Sequence, residues 1–407
     1  MDTWQVVVVG GGSAGDAVVE ALRKTGFDGS IALVGAERYP VCYRPHLSKD
    51  FLRDEMAVDR VFFRGREPYE GMDVEWLLGR TAVAASRRDS SIRLDDGREM
   101  RFETLVLATG GSPRLIPGLP PAANLFVLRT LDHALALKEA MAGGGRLLVI
   151  GAGFIGAEVA ASMRTNGAAV LLVELAPVPL GRALSPEMGE VYARIHRDHG
   201  VDLRTGTSVV RWHLEGDRVR AVELEGGGRE EVDAVLVAVG IEPELSLARE
   251  LELPLAAGGV QVDEMLRAEP NIYCAGDMAA QFHPLYKRPV RVEHWQVARR
   301  QGVAIGRAIA GEAAPFEEVP WFWSDQYDVN LQYLGQAESF DQTVWRGDPS
   351  GSAFSVFYLR QRVVEAMLAV NQPRSIRFGR DLIRRRSAVD AERLADEGVD
   401  LKELAST

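Results

Sequence analysis

A chain of 407 residues with 46% apolar residues and 41 glycines is long enough for two to three domains with substantial cores, and suits an α/β protein with many tight turns. Its formal net charge of −11 argues against nucleic acid as the main partner. Two cysteines, Cys42 and Cys274, make no disulfide framework and no C-x-x-C, no apolar run approaches the ~18 residues of a membrane span, and Met1 leads within a few residues into the first strand, so a cytoplasmic chain without leader or membrane anchor is expected.

In chain order, residues 4 to 37 read as strand, glycine turn, helix and strand, with the turn written Gly10-x-Gly12-x-x-Gly15 and the second strand tipped by Glu37. The loop "RYPVCYRPHLSKDFL" follows, marked by Pro40 and Pro45 and opening into a helix near Ser48. Its cations Arg44 and Lys49 stand just beyond the turn, placed to meet phosphate or flavin or else to line a solvated loop. Short strands and a hairpin at Asp96-Gly97 come next. The apolar strand Leu105 to Ala108 then ends at Thr109-Gly110, which permits close backbone contact with a cofactor.

A proline-rich crossing, "SPRLIPGLPP", leads into a strand and an amphipathic helix, and then into "RLLVIGAGFIGAEVAASMRTNGAAVLLVE" at 146 to 174. Here the strand–turn–helix–strand unit recurs. Gly151 allows the tight turn, Gly153 lets backbone approach a pyrophosphate, and Gly156 lets the helix lie close on the strand. The helix start offers free N–H groups and a positive dipole end to phosphate. Glu174, at the tip of the second strand, accepts both ribose hydroxyls of NAD and repels the extra phosphate of NADP. Two such units in one chain suggest two dinucleotides, and flavin plus nicotinamide is the pairing in which one passes a hydride to the other.

Alternating strands carry the chain to the buried run Ala234 to Val239 and Gly240. From 241 to about 318 the chain returns to the first domain, with a short strand running into Gly276-Asp277 and a helix starting near Trp295. Asp277 suits a flavin ribityl hydroxyl, and the helix start near Trp295 suits a flavin ring carbonyl; ordinary core packing is the alternative for Trp295. From 319 on, aromatic and β-branched strands predict an antiparallel sheet with two helical stretches behind it. "PRSIRFGRDLIRRR" sets six arginines against one aspartate, and Lys287, Arg288, Arg291, Arg299 and Arg300 add to a basic face. The expected fold is therefore α/β, with two Rossmann-like dinucleotide-binding domains, one inserted in the other (1–110 with 241–318, and 111–240), plus a C-terminal α+β domain at 319–407.

Four stretches, "RPHLSK" (44–49), "GAGFIGAEVA" (151–160), "FWSDQYDVNLQYLG" (322–335) and "AVNQPRSIRFGRDLI" (369–383), make the chain resemble the FAD-dependent, NADH-linked ferredoxin reductases of bacterial Rieske dioxygenase and cytochrome P450 systems. The resemblance implies FAD held by Gly10, Gly12, Ala14, Gly15, Glu37, Lys49, Val83 through its backbone, Arg129, Asp277 and Trp295, and Ser13, Arg44, Thr109 and Gly110 stand beside them as cofactor-binding candidates. It implies NADH held by Gly151, Gly153, Ile155, Gly156, Glu174, Arg182 and Gly240. It makes Lys49 and Glu158 a pair near the flavin and nicotinamide, with the lysine stabilising charge that builds up on reduction. The partner it implies is a small iron–sulfur protein, a [2Fe–2S] ferredoxin or a rubredoxin, served by a monomer or weak dimer with no metal of its own. One departure from the family pattern is His46, where a second proline is usual. Cys42 keeps open a flavin peroxidase, NADH oxidase or disulfide reductase, although the glycine those loops carry after their cysteine is missing. A redox-controlled binding protein resembling apoptosis-inducing factor is a third reading.

Overall fold

The computed structural model describes residues 2–65 and 69–406. Its contacts divide the chain into two compact units. One comprises the residues up to Tyr43, Val58–Ser112 and Glu242–Phe322; the other comprises Arg44–Ala57, Pro113–Ile241 and the residues from Trp323 on. No helix of the described residues is long and apolar enough to cross a membrane.

The first unit is built on parallel strands. Asp2–Val9 lies between Ile31–Gly35 and Glu99–Leu107, with Val74–Leu78 beyond the one and Ile272–Cys274 beyond the other. Val6 to Val9, Ile31 to Val34 and Leu105 to Leu107 are all at most 5% exposed, which is why these strands read as unbroken apolar runs: a parallel sheet is covered on both faces. Glu99–Leu107 changes pattern half-way. Its first half alternates, as a hairpin strand half open to water does, and its last three residues are buried. The predicted hairpin forms at Asp96-Gly97, with Gly97 at φ +86°.

Two helices, Ser13–Lys24 and Trp295–Ile309, pack against each other in this unit. Gly302 and Gly306 make that approach possible. A methyl group at Gly302 would stand 2.2 Å from the carbonyl oxygen of Ala14, and one at Gly306 2.6 Å from the Ala21 methyl. The backbone contact fixes the start of the first glycine helix relative to the start of the helix at Trp295.

The second unit holds a parallel sheet in the order Asp202–Thr205, Ala169–Glu174, Arg146–Ile150, Ala234–Val237, Leu125–Val127. The helix Phe154–Thr165 connects Arg146–Ile150 to Ala169–Glu174, starting at the glycine turn. From Trp323 on, the same unit carries the antiparallel sheet formed by Trp321–Gln326, Val329–Gly335, Gln342–Arg346, Phe354–Arg360 and Val363–Val370. Behind that sheet stand three helices among the described residues, Ser375–Arg385, Ala391–Ala395 and Leu401–Ser406, where two were expected. The extra break is local. Arg386 ends the first helix at φ +55°, and the Asp390 carboxylate starts the second by accepting the N–H groups of Glu392 and Arg393.

The loop after Tyr43 also departs from expectation. Instead of a helix near Ser48 there is a single 3-10 turn, Arg44–His46, followed by hydrogen-bonded turns to Asp54. Carbonyls that a helix would use are taken by side chains: Ser162 Oγ donates to the Ser48 carbonyl at 2.8 Å, Lys138 Nζ to Phe51 at 3.0 Å and Asn166 Nδ2 to Leu52 at 2.8 Å.

Gly302→Ala forces the backbone of two packed helices apart, so it should cost about 1–3 kcal/mol. A lowered denaturant midpoint at unchanged m-value is the expected observation.

Candidate functional site

The two glycine turns are near copies in geometry. Gly10 adopts φ +121°, and a Cβ there would lie 2.1 Å from the Ala108 carbonyl oxygen; Gly151 adopts φ +98°, and a Cβ would lie 2.6 Å from that of Ala238. Each third glycine packs on its own first. A Cβ on Gly15 would meet the Gly10 oxygen at 2.0 Å, and one on Gly156 the Gly151 oxygen at 1.9 Å. Gly12 and Gly153 cap their helices in extended conformation with no side-chain cap, leaving the first N–H groups for a ligand. A Cβ on Gly153 would meet nothing within 4 Å. The turn therefore keeps this glycine for something that has to come close from outside, which fits a pyrophosphate.

Glu174 stands at the tip of its strand as expected, and backbone holds it there. Its Oε2 accepts the Ala152 N–H at 2.7 Å and its Oε1 the Ala176 N–H at 2.8 Å. Each oxygen keeps a lone pair for a ribose hydroxyl. Ile155 is half-buried in the first helical turn, and Arg182 and Gly240 are exposed.

In the first unit, Ser13 and Ala14 open the first glycine helix. Glu37 is half-buried beyond its strand, and its carbonyl accepts the Gly79 N–H at 3.1 Å. Val83 is 47% exposed. Thr109 and Gly110 are half-buried, and the Thr109 hydroxyl donates to the Glu244 carbonyl at 2.8 Å. Asp277 lies buried in a 3-10 turn after Gly276, which adopts φ +76° and donates its N–H to the Gln301 side chain. Trp295 is the first residue of its helix, with its ring edge-on to Tyr43 at 4.5 Å.

Beside Trp295 stands a residue that sequence reasoning missed. His294 caps the helix, its ring lies 4.3 Å from Phe322, and its buried Nδ1 has no hydrogen-bond partner among the described residues. Burial holds its pKa down to about 4, so the ring is neutral. An orphaned ring nitrogen next to free helix donors fits a ligand with a polar edge, as an isoalloxazine has. The signal in the sequence was only its place before Trp295.

The basic stretch from 287 to 300 is largely used inside the protein. Arg299 binds the buried Asp16 at 3.0 Å and Glu20 at 2.5 Å, Arg291 meets Glu293 at 2.5 Å, and Arg300 lies 3.7 Å from Glu318. Arg299 and Arg291 are spent inside the unit, while Lys287 and Arg300 stay exposed.

In the second unit, Lys49 and Glu158 meet in the interior. Both are 5% exposed, and Nζ lies 3.0 Å from Oε1. Ser48 Oγ donates to Oε2 at 2.5 Å, and Ser324 Oγ donates to Oε1 at 2.7 Å. Lys49 also reaches the Pro45 carbonyl at 3.3 Å and the Trp323 ring at 5.9 Å, while Arg44 donates to the Arg129 carbonyl at 2.6 Å. The pair is addressed by one helix face. Glu158, Ser162 and Asn166 are four residues apart, and each grips the 44–57 loop. A glutamate two residues beyond Gly156, in a run otherwise made of small and apolar residues, was the readable sign.

Residues 4–302 match the family described as pyridine nucleotide-disulphide oxidoreductase, and residues 321–405 match the reductase C-terminal family. The chain belongs to the pyridine nucleotide-disulphide oxidoreductases. This oxidoreductase is 37% identical over 406 residues to putidaredoxin reductase of Pseudomonas putida, covering 98% of this chain and 96% of that one. It is 37% identical over 408 residues to the ferredoxin–NAD(+) reductase component of the p-cumate 2,3-dioxygenase system of the same organism, covering 99% of each. A solved covalent complex of putidaredoxin reductase with putidaredoxin superposes with a TM-score of 0.95 at 35% identity, over 100% of this chain and 98% of that one. The cofactors of this oxidoreductase are FAD and NAD(H). Its cysteines form no disulfide: Cys42 is 7% exposed, and Cys274 is fully buried with its thiol pKa pushed far up by burial. Among the described residues no cluster of metal-binding side chains occurs.

Gly153→Ala places its new Cβ in the open space of the second turn. The fold should lose no more than about 1 kcal/mol at the helix start, while NADH binding weakens at least tenfold; thermal unfolding and an NADH titration of the same sample separate the two.

Proposed function

We propose that this oxidoreductase takes electrons from NADH onto FAD and delivers them singly to a [2Fe–2S] ferredoxin of an oxygenase system, in the cytoplasm, as a monomer or weak dimer. What carries the reading is similarity across the whole chain, the reductase C-terminal domain included, to proteins named as ferredoxin reductases. FAD is assigned to the domain of 1–110 and 241–318, NADH to 111–240, and the protein partner to 319–407.

Bound FAD would supply the two-electron-to-one-electron conversion that links a hydride donor to a one-electron acceptor. The chain supplies placement and charge. Gly10, Gly12, Ser13, Ala14 and Gly15 offer backbone and helix donors to the FAD pyrophosphate, with Glu37, Arg44, Val83, Thr109, Gly110, Arg129, Asp277, His294 and Trp295 as further contacts. Gly151, Gly153, Ile155, Gly156, Arg182 and Gly240 do the same for NADH. Glu174 selects NADH, because its fixed carboxylate accepts ribose hydroxyls and opposes a phosphate in their place. The Lys49 ammonium offers positive charge to a site that becomes more negative on reduction, and Glu158 balances that charge at rest. No side chain has to act as nucleophile or as proton donor to substrate.

Anaerobic titration with NADH should bleach the flavin with one equivalent, and Cys42→Ser should leave that stoichiometry alone. Two equivalents in the wild type, falling to one in Cys42→Ser, would replace this reading with a cysteine-dependent flavin peroxidase or disulfide reductase.

For the partner, Arg384 and Arg385 are exposed in the last turn of Ser375–Arg385. Arg386, grouped with them on sequence, is engaged by Glu365 at 2.5 and 2.8 Å. Reversing Arg384 and Arg385 to Glu should raise the KM for ferredoxin at least several-fold and weaken its salt dependence, with NADH-to-ferricyanide turnover unchanged. An unaltered ferredoxin KM would move the docking site elsewhere.

A further inference from the structure

Behind the Lys49–Glu158 pair the interior of the second unit holds a row of polar side chains that the reaction as described does not use. Ser324 Oγ, which donates to Glu158 Oε1 at 2.7 Å, accepts from Gln326 Nε2 at 3.1 Å. Gln326 Oε1 faces His196 Nε2 at 3.0 Å, and His196 Nδ1 faces the Tyr327 hydroxyl at 3.3 Å. Ser324, Gln326 and His196 are each 0% exposed. Tyr327 is half-buried, and the exposed His199 stacks on its ring at 3.6 Å. The row therefore runs from the surface to the buried ion pair.

The direction of every bond in it is forced. An ionised carboxylate only accepts, so Ser324 spends its one proton on Glu158. Its oxygen then takes the Gln326 N–H, which turns the amide so that Oε1 faces the histidine. That oxygen needs a donor, so His196 carries its proton on Nε2. Nδ1 is left as an acceptor for the Tyr327 hydroxyl. If Glu158 took up a proton, the inward order would lose its end point, and every donor in the row could reverse.

The turn carrying Tyr327 adds an independent observation. It joins Trp321–Gln326 to Val329–Gly335, and Tyr327 adopts φ +57°, a conformation disfavoured for a bulky side chain. A two-residue turn between neighbouring strands calls for a positive φ at its first position, and this one turns the Tyr327 ring toward His196 and the exposed His199. Buried polar rows are also costly unless every member is satisfied, and this one is satisfied in one direction only.

We propose that Ser324, Gln326 and His196 are positioning residues that hold the Glu158 carboxylate in a fixed orientation, and so set the placement of Lys49 for the electron transfer. The proposal rests on the role given above to Lys49 and Glu158. Lys49 and Tyr192 face Glu158, and Tyr192 also senses Asp325. His199 and Tyr327 face His196, and Tyr327 senses Arg164. Burial holds the His196 pKa down to about 4, in keeping with a neutral ring that donates through one nitrogen and accepts through the other.

The test is a double-mutant cycle on the FAD-loaded protein with a spectroscopic readout beside it. Gln326→Leu should slow NADH-driven flavin reduction several-fold at nearly unchanged KM for NADH, and the same substitution should have no further effect in a Glu158→Gln background. Nitrogen-15 NMR of the wild type should find the His196 proton on Nε2. Equal slowing in both backgrounds, or none in the wild type, overturns the proposal, as does a proton on Nδ1. If Glu158→Gln alone leaves flavin reduction unchanged, the role given to the ion pair falls, and the NMR result still decides the bonding direction by itself. Should Gln326→Leu fold poorly, Ser324→Ala runs the same cycle by removing the last donor.

Discussion

An ammonium and a carboxylate can share a protein interior only when each meets the other and their remaining hydrogen-bonding capacity is filled. Lys49 and Glu158 satisfy that condition inside the second unit. Glu158 takes one charged and two hydroxyl donors, from a loop, from the same loop's preceding residue and from a strand of the C-terminal sheet. Removing either partner would strand a buried charge, at a cost on the order of 3–5 kcal/mol. The pair thus ties three segments distant in sequence into one unit, and any chemistry served by Lys49 depends on that tie.

The glycine turns follow a different logic. There the controlling quantity is distance of approach. The first and third glycines of each turn are required by the protein's own backbone, which leaves no room for a Cβ. Gly153 is not required by anything inside the protein. The same three-glycine spacing therefore contains two structural positions and one kept for a ligand, and the pattern by itself does not say which is which.

Much of this was legible from the chain. Unbroken apolar runs gave away the parallel strands, because both faces are covered; alternation and aromatic residues marked the C-terminal sheet; the helix at Trp295 begins where it was expected. What stayed hidden was decided by contacts between remote residues. The loop after Tyr43 is not helical because Ser162, Lys138 and Asn166 claim its carbonyls. Arg299 turns inward because Asp16 and Glu20 wait for it, and Arg291 is met by Glu293. Glu158 was paired with Lys49 only through family resemblance, and His294 and the row behind Ser324 went unnoticed, since a lone histidine or glutamine carries no spacing signal.

The grip of Glu158, Ser162 and Asn166 on one loop has a consequence for how such proteins change over time. Three contacts at four-residue intervals work only while helix and loop keep their phase, and inserting one residue in the helix turns the later ones by about 100°. The loop bearing Lys49 and the helix after Gly153 must therefore be inherited together. A loop exchanged alone between two members of the family would arrive with its lysine and without the address that seats it.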